Sequence, residues 1–250
     1  MVRRMADLLF SDAYLASLYD GWSPRAVRDD FDFYLPRVMA ADAVLDAGCG
    51  TGMMLHEARD AGHAGRLCGL DPAPGMLARA RRRGDIEWRL GDLASAPWRD
   101  EFDLIVMTGH AFQAIVTDAE LHASLASVRR ALTAGGRFAF ETRNPAARAW
   151  ERWRPENAVE IIGPGGEPVR ITTQLAAPFD GRTVTFTHTF TGPNPVLPLR
   201  SESTLRFLDL EALGAVLAAA ELVVEDQLGD WDGGPFDGAS PEIITIARRP

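Results

Sequence analysis

The segment AVLDAGCGTGMMLHEARDAG, residues 43–62, places three glycines between an apolar run and a helical pattern. These glycines are Gly48, Gly50 and Gly52. Glycine inside regular structure costs roughly 0.5–1 kcal/mol relative to alanine, so three glycines this close together need a physical reason. In an open α/β sheet, ligands bind beyond the carboxyl ends of the strands, where a glycine-rich first turn exposes the main chain and the N–H groups of the next helix. The segment therefore predicts a ligand-binding turn, and a tight turn without a ligand is the alternative.

Short apolar runs alternate with helical patterns along the middle of the chain. Helices are predicted at Met53–Arg59, in PGMLARARRRG, and from about Asp118 to Leu132, where Thr117 and Glu120 have the spacing of a capping box. The strand candidates between them are AVLDAG, GRLCGLD, IEWRLGD, EFDLIVMTG and GGRFAFET. Strands separated by helices of this length need crossover connections, which predict a parallel sheet covered on both faces.

The flanking segments have different patterns. From Glu156 to about Phe207 the chain is rich in threonine, valine and phenylalanine, and TVTFTHTF alternates almost strictly, as antiparallel strands with one solvated face do. The helix LEALGAVLAAAEL and the strands LVVEDQL and PEIITIARR follow. Near the N-terminus, SPRAVRDDFDFYLPRVM predicts a helix with Ser23 as its N-cap and Pro24 at its first position, kinked or ended early at Pro36.

These patterns predict an α/β fold with a Rossmann-like, seven-stranded, mostly parallel sheet, N-terminal helices and an antiparallel β insert. The predicted domain boundaries are an N-terminal helical cap at 1–40, an α/β domain at 41–155 and 208–250, and the insert at 156–207.

The composition excludes several classes of function. All 26 basic residues are arginine, which removes Schiff-base chemistry, pyridoxal phosphate linkage, the P-loop lysine and the tyrosine–lysine pair of short-chain dehydrogenases. The formal net charge is -9 without a basic stripe, which argues against nucleic-acid binding. No run approaches the ~20 apolar residues of a membrane span, and MVRRMADLLF is too short an apolar run for a signal peptide. Cys49 and Cys68 form neither a disulfide framework nor a metal cluster, so a cytoplasmic location without a bound metal is expected.

The spacing of the glycines separates two ligand classes. A dinucleotide fold has G-x-G-x-x-G, whereas this turn is G-x-G-x-G. LDAGCGTG resembles the first motif of the class I S-adenosylmethionine-dependent methyltransferases, and the resemblance extends through about residues 42–145 and again near the C-terminus. GLDPAPGML resembles the second motif of that family, GDL ends the third strand, FDLIVMTGHAF matches the fourth-strand motif, and LTAGGRFAFET matches the segment that leads to the fifth.

The resemblance implies S-adenosylmethionine as the cofactor and S-adenosylhomocysteine as its product. It puts Asp46 near the methionine ammonium group, Asp71 on the ribose hydroxyls, and Asp92 on the adenine amino group. The alternatives are a helix cap for Asp71 and an Asx-turn for Asp92. Tyr19 resembles a tyrosine that several small-molecule members fold over the cofactor, and an ordinary core or surface tyrosine is the alternative. The implied cofactor-binding residues are Tyr19, Asp46, Gly48, Gly50, Gly52, Asp71, Pro72, Met76, Asp92, Leu93 and Met107.

The methyl acceptor is expected at the ends of the fourth and fifth strands. His110 is the candidate general base because imidazole titrates near neutrality, and a histidine bonded to a loop carbonyl is the alternative. Arg143 would suit an anionic group of the substrate. The insert would cover this site, as similar inserts do in small-molecule methyltransferases of this fold, and Trp150 and Trp153 could close it. The candidate substrate residues are Phe112, which is either a pocket wall or part of the core, Gln113, Glu141, Arg143 and Asn144.

The sequence thus predicts a methyltransferase that transfers a methyl group to a nitrogen, oxygen or carboxylate of a small molecule. Nucleic-acid and membrane partners are not expected, and a monomer and a homodimer both remain open. A nicotinamide-dependent oxidoreductase on a related sheet is one alternative, which the short glycine motif and the missing lysine disfavour. A non-catalytic regulatory protein that binds S-adenosylmethionine is the other.

Overall fold

The computed structural model describes residues 7–250. Residues 1–6 lie outside the described residues. They belong to the predicted helical cap and to the segment MVRRMADLLF. The α-helices of the described range are α1 (Leu8–Ser11), α2 (Ala13–Trp22), α3 (Asp30–Ala40), α4 (Met53–Asp60), α5 (Pro74–Ala80), α6 (Asp118–Ala131) and α7 (Leu210–Ala219). Its strands are β1 (Ala43–Ala47), β2 (Arg66–Asp71), β3 (Glu87–Leu90), β4 (Phe102–Met107), β5 (Leu132–Arg143), β6 (Val159–Ile162), β7 (Pro168–Leu175), β8 (Thr183–Thr191), β9 (Leu199–Arg206), β10 (Val223–Leu228) and β11 (Glu242–Arg248).

The main sheet has seven strands in the order β10-β11-β5-β4-β1-β2-β3. Strands β3, β2, β1, β4 and β5 run parallel, and β11 is antiparallel to both of its neighbours. Val44 and Leu45 on adjacent positions of β1 are fully buried, because helices cover both faces of the sheet. The predicted seven-stranded, mostly parallel sheet is confirmed.

The strand order reverses at β1, which lies between β2 and β4. In open α/β sheets such a reversal opens a crevice beyond the carboxyl ends of the strands. The glycine turn follows β1, Asp71 ends β2, and Met107 ends β4. The fold therefore brings the turn and the ends of its two neighbouring strands to one edge of the sheet.

The second sheet is antiparallel and contains β6, β7, β8 and β9 in that order. Along β8 the buried side chains are Val184, Phe186, His188 and Phe190, and the threonines between them are partly exposed. The alternation predicted for TVTFTHTF is thus confirmed, and it gives this sheet one inner face. Trp22 at the end of α2 packs edge-on against His188, with 4.7 Å between the ring centres.

The N-terminal helical prediction is wrong in its boundaries. The helix expected from Ser23 begins at Asp30, after a short 3-10 turn at Arg25–Val27, and Pro36 lies inside α3 without ending it. Proline inside a helix removes one main-chain hydrogen bond, but α3 buries an aromatic face that includes Phe31 and Tyr34 against the sheet. Tertiary packing therefore decides where this helix begins and ends.

One further local expectation corresponds to observed contacts. Thr117 and Glu120 form the predicted capping box at the start of α6. Cys49 and Cys68 are buried free thiols. Within residues 7–250, no three His, Cys, Asp or Glu side chains are arranged to hold a metal ion. None of the helices described for this range has the length and apolar character that a membrane crossing requires.

Candidate functional site

The three glycines of the turn have different physical roles. All of them adopt left-handed φ angles, of 85° at Gly48, 54° at Gly50 and 81° at Gly52. A Cβ atom at Gly52 would lie 2.5 Å from the Trp88 ring, and one at Gly48 would lie 2.7 Å from the Cβ of Ala111. A Cβ at Gly50 would meet no atom within 4 Å. Gly48 and Gly52 therefore permit close packing of the protein, whereas Gly50 keeps the main chain open toward the crevice.

Asp71 fastens this turn to the end of β2. Its Oδ2 accepts a hydrogen bond from the Gly50 N–H at 2.8 Å, and its Oδ1 accepts one from the Ala73 N–H at 2.8 Å. Burial raises the pKa of Asp71 to about 6, and the two main-chain hydrogen bonds oppose that shift. Each carboxylate oxygen has a second lone pair, so the predicted bonds to ribose hydroxyls remain compatible with this arrangement.

Asp46 presents an unsatisfied charge beside the turn. Its side chain is 1% exposed, and Oδ1 has no hydrogen-bond partner among the described residues. Burial and the nearby Asp71 carboxylate raise the pKa of Asp46 to about 7, and the Arg28 guanidinium opposes this. A buried carboxylate without a partner is costly, so a cationic ligand group at this position would stabilise it. The predicted ammonium site at Asp46 fits this observation.

The other predicted cofactor residues surround the crevice in different environments. Asp92 caps a short 3-10 turn by accepting from the N–H and the hydroxyl of Ser95, both at 2.9 Å, which is the local turn considered as the alternative. Met76 is buried beside Tyr19 against α2. Leu93 and Met107 are buried in the core that packs on the sheet, and Pro72 is exposed.

Helix α2 forms one wall of the crevice. The Thr51 hydroxyl in the glycine turn donates to Asp20 Oδ1 at 2.6 Å, and Arg79 of α5 forms an ion pair with the other oxygen of Asp20 at 3.4 Å. Tyr19 packs against Phe10 with ring centres 6.0 Å apart, and burial raises its pKa. The α2 helix is therefore fixed directly to the turn.

A charged cluster lies at the ends of β4 and β5. The main-chain N–H of His110 donates to Glu141 Oε1 at 2.6 Å, and the Tyr34 hydroxyl donates to Glu141 Oε2 at 2.6 Å. His110 Nε2 lies 2.9 Å from Glu242 Oε2. The register of β5 and β11 places Glu242 opposite Arg143, which brings the C-terminal strand into the site.

Burial changes the protonation of this cluster. Burial and the nearby Arg143 lower the pKa of His110 to about 3, and burial raises the pKa of Glu242 to about 8. Near neutral pH the imidazole is therefore neutral and Glu242 carries the proton of the hydrogen bond between them. The His110 and Glu242 side chains retain 19% and 13% exposure, so neither is closed off from solvent.

Three residues predicted to face the acceptor are instead committed to internal contacts. Phe112 stacks on Phe140 in the core, with ring centres 4.3 Å apart. Gln113 is 1% exposed, and its amide accepts from Arg143 Nη1 at 3.0 Å and donates to the Arg206 carbonyl at 2.9 Å. Asn144 is also buried. Its amide donates to the carbonyls of Gly238 and Ser240 and its Oδ1 accepts from the Ala146 N–H, so it joins the end of β5 to the loop before β11.

Two charged residues near the crevice are missing from the sequence prediction. Arg28 forms a bidentate ion pair with Asp30, with distances of 2.8 and 2.6 Å, and its guanidinium lies close to Gly109 after β4. Glu242 is the other charged side chain that the sequence pattern did not indicate. Arg28 and Asp30 lie in a segment with an ordinary helical pattern, and Glu242 is distant in the chain from His110. No local sequence pattern therefore indicated Arg28 or Glu242 as residues near the crevice.

Comparison with known proteins gives consistent matches. A family model described as a methyltransferase domain matches residues 44–136. Over 216 residues, which cover 85% of each chain, the sequence is 26% identical to cypemycin N-terminal methyltransferase from a Streptomyces species. The fold is similar to the CcbJ methyltransferase from Streptomyces caelestis, with a TM-score of 0.72, 18% identity, and coverage of 95% of this chain and 96% of that one. It is also similar to an amino pentose methyltransferase from Micromonospora echinaspora, solved with S-adenosylmethionine bound, with a TM-score of 0.68, 22% identity, and coverage of 93% and 94%.

The first prediction concerns the different roles of two glycines. We expect Gly52→Ala to destabilise the protein by roughly 2–4 kcal/mol, because left-handed strain and a clash with Trp88 add together. Gly50→Ala should cost only roughly 1–2 kcal/mol, since it brings the strain without the clash. Chemical denaturation of both variants measures the difference. Equal losses of stability would show that Trp88 does not confine this turn.

The second prediction concerns the buried Tyr34–Glu141 hydrogen bond. Tyr34→Phe should lower the free energy of unfolding by roughly 1–3 kcal/mol, because it leaves a fully buried carboxylate oxygen without its donor. Tyr14→Phe is the matched control, since the Tyr14 hydroxyl donates to a partly exposed carboxylate of Glu167 at 2.9 Å. Denaturant unfolding should give a clearly smaller loss for that control, and a loss of the same size in both variants would contradict the prediction.

Proposed function

Because this chain is a class I S-adenosylmethionine-dependent methyltransferase, we propose that it methylates an amine nitrogen of a small-molecule acceptor. The proposed acceptor position is the crevice at the ends of β4 and β5. The observation that carries the proposal is the pair of Glu242 and His110, which are 2.9 Å apart and partly exposed beside the ends of β4 and β5.

The chain's own residues suit the cofactor. The open main chain at Gly50 and the unpartnered Asp46 carboxylate would hold its amino-acid end, and Asp71 and Tyr19 would hold the nucleoside. When bound, S-adenosylmethionine supplies an electrophilic methyl group on a sulfonium that leaves with the bonding electron pair. The protein's contribution is then to position the acceptor and to remove its proton.

An amine acceptor is protonated near neutral pH and must lose a proton before its lone pair is available. The group that takes this proton works best with a pKa near the working pH. Glu242, with a pKa raised to about 8, meets this requirement better than His110, whose pKa is lowered to about 3. We therefore assign proton acceptance to Glu242, and His110, the base predicted from the sequence, becomes the residue that positions its carboxyl group.

The charges of the crevice also favour an amine. Once Asp46 and Glu242 are ionised, the acidic groups of Asp30, Asp46, Glu141 and Glu242 outnumber the guanidinium groups of Arg28 and Arg143. A carboxylate acceptor would face repulsion from these groups, whereas a protonated amine would be attracted to them. Arg143 remains available for an anionic group elsewhere on the acceptor.

Two of the similar proteins act on amine-bearing acceptors according to their names, namely the cypemycin N-terminal methyltransferase and the amino pentose methyltransferase. These names support the proposal without identifying the acceptor of this chain. The match to a methyltransferase domain does not favour the two alternative functions, a nicotinamide-dependent oxidoreductase and a non-catalytic binding protein.

The third prediction tests the two roles at the Glu242–His110 pair. In the wild type, kcat should rise with pH through about 8, because the ionised Glu242 is the active form. Glu242→Gln should lower kcat by about 100-fold or more and abolish that rise, since proton removal by a positioned group contributes on this scale. His110→Asn should keep a pH-dependent kcat but shift its apparent pKa.

The matched control is Glu225→Gln on the neighbouring β10, where the carboxylate pairs with Arg137 and Arg248 outside the crevice. S-adenosylhomocysteine affinity, measured by calorimetry, should stay within error in Glu242→Gln. A Glu242→Gln variant with wild-type kcat and pH profile would refute the proton-accepting role.

The fourth prediction uses the raised pKa of Asp46. Because the folded-state pKa of about 7 lies above the ordinary value of an unfolded aspartate, the contribution of Asp46 to stability falls as pH rises between about 4 and 7. Asp46→Asn should therefore stabilise the ligand-free protein more at pH 8 than at pH 5. Its affinity for S-adenosylhomocysteine should fall, because the variant lacks the charge that faces the ammonium group. Denaturant unfolding at the two pH values tests this, and an identical effect of the substitution at both would contradict it.

A further inference from the structure

The inner face of the second sheet carries a polar row between two apolar clusters. His188 of β8 lies opposite Thr173 of β7 and opposite Ser201 of β9. On one side of this row, Phe190 belongs to an apolar cluster formed with helices α1 and α2, and on the other side Phe186 belongs to a second apolar cluster. Polar side chains inside an apolar face need partners for their hydrogen-bonding atoms.

One ring nitrogen of this row has no such partner. Ser201 Oγ accepts from the Leu9 N–H at 2.8 Å, and Thr173 Oγ1 lies 2.9 Å from His188 Nδ1. Among residues 7–250, His188 Nε2 makes no hydrogen bond, although the side chain is only 9% exposed. Nε2 is not one of the fully enclosed polar atoms of these residues, so an atom of a ligand can reach it.

Two elements of the proposed site contact the second sheet around this row. Trp22 of α2 packs on His188 with ring centres 4.7 Å apart, and the same helix binds the glycine turn through Asp20. Gln113, in the connection after β4, donates to the Arg206 carbonyl at the end of β9 at 2.9 Å. The second sheet is therefore joined to the cofactor side of the crevice and to the connection that carries the end of β4 into it.

The end of β5 reaches His188 through aromatic rings. The guanidinium carbon of Arg143 lies 5.5 Å from the centre of the Trp153 ring. The Trp153 ring centre is 4.6 Å from that of Phe186, which in turn is 5.0 Å from that of His188. Since Arg143 is opposite Glu242 in the β5–β11 ladder, these contacts connect His188 with the surroundings of the proposed proton acceptor.

The unpartnered nitrogen suits a hydroxyl group. Burial lowers the pKa of His188 to about 4, so near neutral pH the ring has one donor and one acceptor nitrogen. If the Thr173 hydroxyl donates to Nδ1, Nε2 carries the proton and donates; if Nδ1 donates to Thr173, Nε2 accepts. A hydroxyl group can bind Nε2 in both tautomers, whereas an ammonium group cannot accept and a carboxylate cannot donate.

We propose that His188 Nε2 binds a hydroxyl group of the acceptor, and that Thr173 fixes the imidazole ring for this bond. The inference deepens the proposed function and rests on it for the position of the amine beside Glu242. The rings of Trp22 and Phe186, which flank His188, would contact the carbon skeleton between the two polar groups. His188 then selects among amines and takes no part in proton removal or methyl transfer.

The first test uses two pairs of amines that differ by one hydroxyl group. They are 4-aminocyclohexanol with cyclohexylamine and 6-amino-1-hexanol with hexylamine, which sample a short and a long separation of the polar groups. Calorimetry with saturating S-adenosylhomocysteine gives the hydroxyl preference, defined as the Kd of the plain amine divided by that of its amino alcohol. For at least one pair, His188→Phe should lower this preference about fivefold or more, the scale of one hydrogen bond, because phenylalanine keeps a ring but lacks both nitrogens.

His188→Gln is the conservative variant, since its amide has a donor and an acceptor. It should recover part of the hydroxyl preference that His188→Phe loses. The same preference for both pairs in the wild type and in His188→Phe would overturn the proposal. A preference in His188→Gln no higher than in His188→Phe would count against it, because loss of ring packing rather than of a hydrogen bond would then explain the change.

The second test compares Thr173→Val with Thr185→Val. Thr185 Oγ1 lies 2.9 Å from Thr204 Oγ1 and so forms a cross-strand hydrogen bond of the same length, but on the opposite face of the sheet from His188. Thr173→Val should lower the hydroxyl preference about twofold or more, and Thr185→Val should keep the wild-type value. Equal preferences in the two variants would contradict the proposal. This comparison decides the question if His188→Phe does not fold.

The outcomes separate this inference from the proposed function, because the binding measurements need no turnover. Methylation of the four amines with S-adenosylmethionine is measured separately. Methylation together with an unchanged hydroxyl preference in His188→Phe would overturn the role of His188 and leave amine methylation standing. A preference that His188→Phe removes, without methylation of any of these amines, would support hydroxyl recognition and count against the proposed function. Absence of binding for all four amines would count against both.

Discussion

The site depends on the Asp71 carboxylate, which accepts hydrogen bonds from the main chain on both sides of the crevice entrance. Gly50 lies in the turn after β1 and Ala73 precedes α5, so one side chain joins two crossover connections. The Gly48 and Cys49 N–H groups add bonds to the Leu70 carbonyl of β2. A turn with three left-handed residues has little intrinsic preference for one shape, and these bonds give it one. The open main chain at Gly50 is a consequence of that fixation.

The sequence predictions are accurate where they depend on contacts between residues close in the chain, and less accurate where contacts between distant segments decide the structure. The capping box at Thr117 and Glu120 and the alternation along β8 are local patterns, and both appear in the structure as the sequence indicates. The start of α3 is decided by burial of Phe31 and Tyr34 against the sheet, which the local signals of Ser23 and Pro24 do not contain. Local chemistry therefore predicts the elements well and their ends poorly.

The same reasoning explains the site. The glycines lie in the turn after β1, Asp46 is the penultimate residue of that strand, and Asp71 ends β2, so the glycine spacing and the family resemblance placed them at the ligand edge that this fold is known for. Glu242 meets His110 only after the last strand is inserted next to β5, a register that no short motif encodes. Gln113 and Asn144 are polar and follow strands, as site residues do, but their amides bind main-chain carbonyls of distant segments. Sequence position alone does not distinguish a polar side chain that faces a ligand from one that joins two segments of the protein.

Helix α2 contacts both halves of the molecule. Its Asp20 binds Thr51 in the glycine turn, its Tyr14 donates to Glu167 in the connection between β6 and β7, and its Trp22 packs on His188 of the inner face of the second sheet. Any displacement of α2 would therefore break its contacts with the glycine turn and with the second sheet together, so this helix of ten residues ties the position of one to the position of the other.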